Sequence, residues 1–67
     1  MILAAIPAYN EEIAIGSVIL RTKKYVDKVI VIDDGSTDST SIVAKMAGAD
    51  VIQHDKNLGK GAASNIL

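Results

Sequence analysis

The sequence predicts an α/β fold: a parallel sheet built from a β-α-β-α-β run, with its strands in spatial order 3-2-1. Three observations carry this prediction. Three short apolar runs alternate with two segments whose apolar residues recur at three- and four-residue steps. The connections between them are tight, which calls for parallel strands joined by right-handed crossovers. Polar clusters follow the apolar runs directly, where the strands of such a sheet end.

The first run, Ile2-Leu3-Ala4-Ala5-Ile6, is continuous and is ended by Pro7, the pattern of a strand buried on both faces. From Glu11 onward the spacing changes. Ile15, Val18, Ile19, Thr22 and Val26 fall on one side and Ser17, Arg21 and Lys24 on the other, which predicts a helix of about four turns. Glu11 and Glu12 then occupy its first turn and Arg21-Thr22-Lys23-Lys24 its last, each sign suited to the helix dipole. Val29-Ile30-Val31-Ile32 is β-branched throughout and too short for a helix, so it reads as the second strand. Asp33-Asp34-Gly35 is a turn sequence. Ser36 or Thr37 caps the second helix, Asp38 lies in its first turn, and Ile42, Val43, Met46 and Ala47 form its apolar stripe. Gly48 suits its C-terminal cap. Asp50 to Gln53 is the third strand, and a third helix opens at Ala62-Ala63 after the Gly59-Lys60-Gly61 turn. Helices between buried strands imply a doubly wound sheet.

Composition narrows the function classes. With 67 residues the chain holds at most one small domain, which buries only about 60 % of its unfolded surface. Aromatics make up 3 % of it, so the core falls to Ile, Val, Leu and Ala. There is no cysteine, hence no disulfide framework and no thiolate metal site. Seven basic residues against eight acidic ones, a net charge of -1, argue against nucleic acid or an anionic membrane as the main partner. The N-terminus has no positive leader region and its apolar run is broken by Pro7, so no signal peptide is expected. No stretch approaches the length of a membrane span. The chain reads as cytoplasmic.

Ligands of open parallel sheets bind beyond the carboxyl ends of the strands. Pro7-Ala8-Tyr9-Asn10-Glu11, Asp33-Asp34-Gly35-Ser36 and His54 through Gly61 all fall there, on one rim. Tyr9 offers a flat amphipathic ring that either stacks on a base or packs on the sheet edge. Asp33 and Asp34 either accept hydrogen bonds from a base N–H or ribose hydroxyl, or hold the turn and cap the helix. Both roles are expected, one carboxylate pointing each way, because consecutive side chains diverge. For the same reason the pair is a poor metal site. Gly59-Lys60-Gly61 before a helix suits a phosphate, yet His54 stands where a P-loop needs glycine. No Gly-x-Gly-x-x-Gly follows the first run. His54 is the single histidine and reads as a solvated loop residue.

Taken together, Ile6-Pro7-Ala8-Tyr9-Asn10-Glu11-Glu12, the stretch from Val29 through Asp33-Asp34-Gly35-Ser36-Thr37-Asp38 to Thr40, and Asn57-Leu58-Gly59-Lys60-Gly61-Ala62-Ala63 resemble the inverting glycosyltransferases of family 2 type with the GT-A fold. They look most like the polyprenyl- or dolichol-phosphate sugar synthase branch. The resemblance spans residues 1–67 and implies the N-terminal, nucleotide-binding portion of a Rossmann-like GT-A domain, itself incomplete. It implies that a UDP- or GDP-linked sugar binds on the rim. Pro7, Ala8 and Tyr9 would border the base, Glu11 would hydrogen-bond to the nucleoside, and Asp34, alone or together with Asp33, would bind base or ribose. Lys60 would lie near the base or the phosphates.

The family's Asp-x-Asp motif, which holds Mg²⁺ or Mn²⁺ against the diphosphate, and its catalytic base have no counterpart in these residues. No catalytic residue and no metal ligand is therefore assigned, and the 67 residues alone are expected to be inactive. A fragment of a longer transferase is the first expectation; a stand-alone binding or assembly module is the second. An unrelated βαβ module fits the motifs less well. With order 3-2-1 the first strand is an edge, so self-association through residues Ile2 to Ile6 is expected.

Overall fold

The computed structural model describes residues 1–54. The Asn57 to Ala63 segment with Lys60, and the third helix expected from Ala62, lie outside the described residues. Alternation of burial along the second strand shows how the layers form. In β2 (Lys28–Asp33), Val29, Val31 and Asp33 are buried while Ile30 and Ile32 are only partly so. One face of this strand carries the core, because successive side chains point to opposite faces.

β2 is the central strand of three. β1 (Leu3–Ala8) pairs with it in parallel from Leu3 opposite Lys28 to Ala8 opposite Asp33. β3 (Asp50–Gln53) pairs on its other side, from Ile30 opposite Asp50 to Asp33 opposite Gln53. The spatial order is β1-β2-β3, the order expected, read from the other side. Two helices complete the set, α1 (Ile15–Thr22) and α2 (Thr40–Met46). Their buried residues Ile15, Ile19 and Ala44 join Ala8, Val29, Val31 and Ala49 in one cluster, with Ile6, Val43 and Val51 packed against it.

Both described helices therefore cover the same face of the sheet, so among the described residues the strands are buried on one side and not, as expected, on both. Two right-handed crossovers stepping in the same direction put their helices on the same side. The opposite face stays open among the described residues: Leu3 is 55 % and Ile52 50 % exposed. β1 also runs two residues past the expected end. Pro7 sits within it, opposite Ile32, a position open to proline because β1 is a side strand whose outward N–H has no ladder partner to lose.

α1 has eight residues rather than about four turns. The carbonyl of Glu11 accepts from both Ala14 and Ile15, at 3.0 and 2.8 Å, and past the helix Lys24 and Tyr25 bond three residues back to Arg21 and Thr22. The path winds tighter at both ends, so only the middle keeps the α repeat. Glu11 and Glu12 accordingly precede the helix instead of occupying its first turn.

α2 faces the core through Thr40, Val43, Ala44 and Ala47, not through the expected stripe. Val43 and Ala47 belong to both sets, but Ile42 and Met46 are 59 % and 82 % exposed. Thr40 is buried without penalty because its hydroxyl is hydrogen-bonded on both sides, as donor to Asp38 and acceptor from Glu11 N–H. The C-terminus ends as the sequence implied. Gly48, at φ 100°, donates to Lys45 O at 3.0 Å, and Ala49 donates to Ala44 O at 3.1 Å. This reciprocal pair is the Schellman arrangement, which favours glycine at the left-handed position.

Candidate functional site

The paired strands deliver their last residues to one rim. Ala8, Asp33 and Gln53 are in register with one another, so the residues that follow leave the sheet at the same level. Two backbone bonds hold these exits together: Asp34 N–H to Ala8 O at 2.9 Å and His54 N–H to Asp33 O at 2.8 Å. Tyr9, Asp34 and His54 are all exposed there. Tyr9 keeps 45 % of its surface in solvent.

The adjacent carboxylates diverge. Asp33 lies on the core face of β2 at 1 % exposure, and its Oδ1 accepts from Ser36 N–H at 2.9 Å. Its Oδ2 is buried with no hydrogen-bond partner among the described residues. Asp34 is exposed. Gly35, at φ 80°, makes the sharp turn that lets Ser36 swing back to Asp33. Asp33 thus holds the turn, while Asp34 stands in solvent.

The first and second rim loops are laced together by side chains. Asn10 takes a left-handed backbone, φ 50°, which asparagine tolerates better than most residues. Its N–H donates to Ser36 Oγ at 2.8 Å, while its Oδ1 accepts from Thr37 N–H at 2.8 Å and from Thr37 Oγ1 at 3.4 Å. Glu11 N–H donates to Thr40 Oγ1 at 2.8 Å. Glu12 N–H donates to Asp38 Oδ2 at 3.3 Å, and Glu12 Oε1 accepts from Ser39 N–H at 2.8 Å. Asp38 Oδ1 accepts from Thr40 N–H at 2.9 Å. The N-cap of α2 is Ser39, whose own side chain makes no cap bond; the first N–H groups go to Asp38 and, from across the rim, to Glu12, and neither Ser36 nor Thr37 serves, both being engaged by Asn10. Desolvation pushes the Asp38 carboxyl up, but the hydrogen bonds from Thr40 hydroxyl, Thr40 N–H and Glu12 N–H outweigh it and hold it below the usual carboxylate range.

The candidate residues divide by position. Tyr9, Glu11 and Asp34 present exposed side chains at the rim. Ala8 is buried beneath the helices and offers only its backbone to the rim, its carbonyl already bonded to Asp34 N–H. Pro7 is exposed on the open face of the sheet. Asp33 is interior, and Lys60 lies outside the described residues. Sequence reasoning missed Asn10, Glu12 and Thr40 as the residues that hold the rim. The signal was there: short hydroxyl and carboxylate side chains crowd positions 36–41, and such groups seek nearby backbone N–H donors.

A divalent cation fits poorly among these groups. No group of three or more His, Cys, Asp or Glu residues able to hold a metal exists among the described residues. Asp33 and Asp34 point apart, and Asp38 is taken by Thr40 and Glu12. Nor is any described helix long and apolar enough to cross a membrane.

Comparison with known proteins matches residues 4–67 to the family model described as Glycosyl transferase family 2. Over 63 residues the chain is 44 % identical to an uncharacterised protein of Methanocaldococcus jannaschii, covering 92 % of this chain and 26 % of that protein. Over 57 residues it is 46 % identical to glucosyl-3-phosphoglycerate synthase of Mycolicibacterium smegmatis, covering 79 % of this chain and 19 % of that one. The crystal structure of glucosyl-3-phosphoglycerate synthase from Mycobacterium tuberculosis, in complex with Mg²⁺ and uridine diphosphate, superposes with a TM-score of 0.72 at 44 % identity. That match covers 79 % of this chain and 20 % of the enzyme. The same enzyme has been crystallised with Mn²⁺, UDP-glucose and phosphoglyceric acid. The chain thus spans between a fifth and about a quarter of the length of these relatives.

Proposed function

Because the chain belongs to glycosyl transferase family 2, we propose that its rim holds the nucleoside part of a nucleotide sugar and that the whole protein transfers the sugar to an acceptor. The observation that carries this is the pairing of Tyr9 and Asp34. Each stands one residue beyond the end of adjacent parallel strands, and Asp34 N–H bonds to Ala8 O at 2.9 Å. Exposed residues that carry a ring and a carboxylate at neighbouring strand exits suit a nucleoside: a π-face to stack against, and an acceptor for a base N–H or ribose hydroxyl. Glu11 adds a second carboxylate to the same loop. Pro7 and Ala8 border the site through the backbone, and Asp33 serves it from inside by holding the turn. Lys60 is assigned the base or phosphates by resemblance alone.

Uridine diphosphate is the favoured donor nucleotide, because the similar Mycobacterium tuberculosis enzyme is seen with uridine diphosphate and with UDP-glucose. A GDP-linked donor is the alternative. The acceptor bears a phosphate. Relatives that act as glucosyl-3-phosphoglycerate synthases favour phosphoglycerate, and the Asn57 to Ala63 segment's resemblance favours a polyprenyl phosphate. Magnesium or manganese, present in the similar enzyme's structures, would serve the whole protein by neutralising the leaving diphosphate. We assign it no ligand among the described residues. Residues 1–67 alone bind and do not transfer; a non-catalytic module would behave the same way, and turnover by the purified chain would exclude both.

Calorimetric titration with uridine diphosphate and guanosine diphosphate, each with and without Mn²⁺, tests the reading. Saturable heat with uridine diphosphate, largely independent of Mn²⁺, is expected. Heat with neither nucleotide would overturn it.

A further inference from the structure

We propose that Asn10 is a positioning residue of the nucleoside rim, locking the loop that carries Tyr9 to the loop that carries Asp34. The inference rests on the nucleoside-binding reading above and adds a residue that makes no contact of its own with the ligand. Five facts converge on Asn10. It directly follows Tyr9, and it alone in this loop takes a left-handed backbone, φ 50°. Its N–H reaches Ser36 Oγ, 26 residues along the chain, at 2.8 Å. Its Oδ1 receives two donors from Thr37. Ser36 in turn gives its own N–H to Asp33 Oδ1 at 2.9 Å, which fixes the turn containing Asp34.

A continuous hydrogen-bonded path therefore runs from Asp33 through Ser36 to Asn10 and back to Thr37. Exposed Asp34 follows Asp33 at one end of this path, and exposed Tyr9 directly precedes Asn10 within it. The left-handed backbone turns the chain sharply after Tyr9, and the carboxamide ties that bend to the second loop. Loops at a strand end are otherwise the least restrained part of such a fold. A rigid relation between the two loops keeps the ring and the carboxylate at a spacing that matches one ligand, so the ordering cost is met before binding.

Substitutions at this joint separate its parts. Asn10→Gly keeps access to the left-handed backbone and removes the Thr37 acceptor. Asn10→Asp keeps the acceptor; measured at high salt, its added charge among the neighbouring acids is screened. Ser36→Ala removes the acceptor for Asn10 N–H and leaves Asn10 intact. Amide exchange and amide chemical shifts of the 67-residue chain report on the loops, with Val31 in the buried centre of β2 as the control for global unfolding. In Asn10→Gly, Thr37 exchange should quicken by about 10-fold or more at unchanged Val31 protection. The Tyr9 and Asp34 amide shifts should move, and uridine diphosphate affinity should fall several-fold. Asn10→Asp should restore all three, and Asn10→Gly combined with Ser36→Ala should lose less than the sum of the single losses.

The proposal is overturned if Thr37 exchange in Asn10→Gly stays within about twofold of the unmodified chain. It is equally overturned if that exchange quickens while the Tyr9 and Asp34 shifts hold, or if Asn10→Asp is as damaging as Asn10→Gly. Should the unmodified chain take up no uridine diphosphate, the nucleoside reading fails by itself, and the Tyr9 and Asp34 shifts still decide whether Asn10 positions them.

Discussion

Adjacent aspartates at the end of β2 show how a one-residue step separates a buried, turn-holding carboxylate from an exposed one. Strand alternation turns Asp33 into the core, where its Oδ1 holds the Ser36 amide, and turns Asp34 out to solvent. Their substitutions should therefore behave differently. Asp34→Asn removes a charged acceptor from an exposed position, so folding stability should stay within about 0.5 kcal/mol. Uridine diphosphate affinity should fall by about 10-fold or more, the scale of one hydrogen bond to a charged group. Chemical denaturation and calorimetry on the same sample check both halves. A variant that binds as well as the unmodified chain would remove Asp34 from the site. The divergence of the two carboxylates was legible in the sequence, because it follows from strand geometry alone. The role of Asn10 was not, since its partners Ser36 and Thr37 lie 26 and 27 residues away.

At the scale of elements, the lacing between the first rim loop and the start of α2 depends on the ionised Asp38 carboxylate. Its folded-state carboxyl sits below the ordinary aspartate range because Thr40 and Glu12 donate to the charged form. A depressed carboxyl contributes stability above its unfolded value and loses it as the pH falls through the folded one. Protection of the Thr40 and Glu12 amides, which donate to Asp38, should thus decline as the pH drops below the usual aspartate range. Asp38→Asn should flatten that dependence; an unchanged acid profile would contradict the assignment. The bounds of β3 were read correctly because the Gly48 cap and His54 bracket it. The inward face of α2 was misread. Large apolar residues drew attention to Ile42 and Met46, whereas the core takes the hydrogen-bonded Thr40 and the small Ala44, whose size lets the helix lie close to the sheet. α1 was overestimated for a related reason: its apolar spacing continues through residues whose backbone winds into tighter turns.

For the whole molecule, strand order and parallel pairing were legible from the alternation of runs, since handed crossovers leave few other topologies. That both helices share one face follows from the same rule, applied to two steps in one direction. Among the described residues its consequence is a sheet with one apolar face uncovered around Leu3, Ile32 and Ile52, and with β1 at one side. Open apolar surface beside a strand with one free edge is a template for another chain. The 67-residue chain should therefore associate with itself through residues Ile2 to Ile6, visible as concentration-dependent sedimentation. A clean monomer across the concentration range would count against this. The central claim is that three strand exits on one rim build a nucleoside cradle, and residue-by-residue nuclear magnetic resonance during addition of uridine diphosphate tests it most directly. Saturable shifts are expected at Tyr9, Asn10, Glu11 and Asp34, with Leu3, Lys28 and Asp50 at the opposite end of the strands unmoved. Shifts centred on that opposite end, or none at the rim, would contradict it.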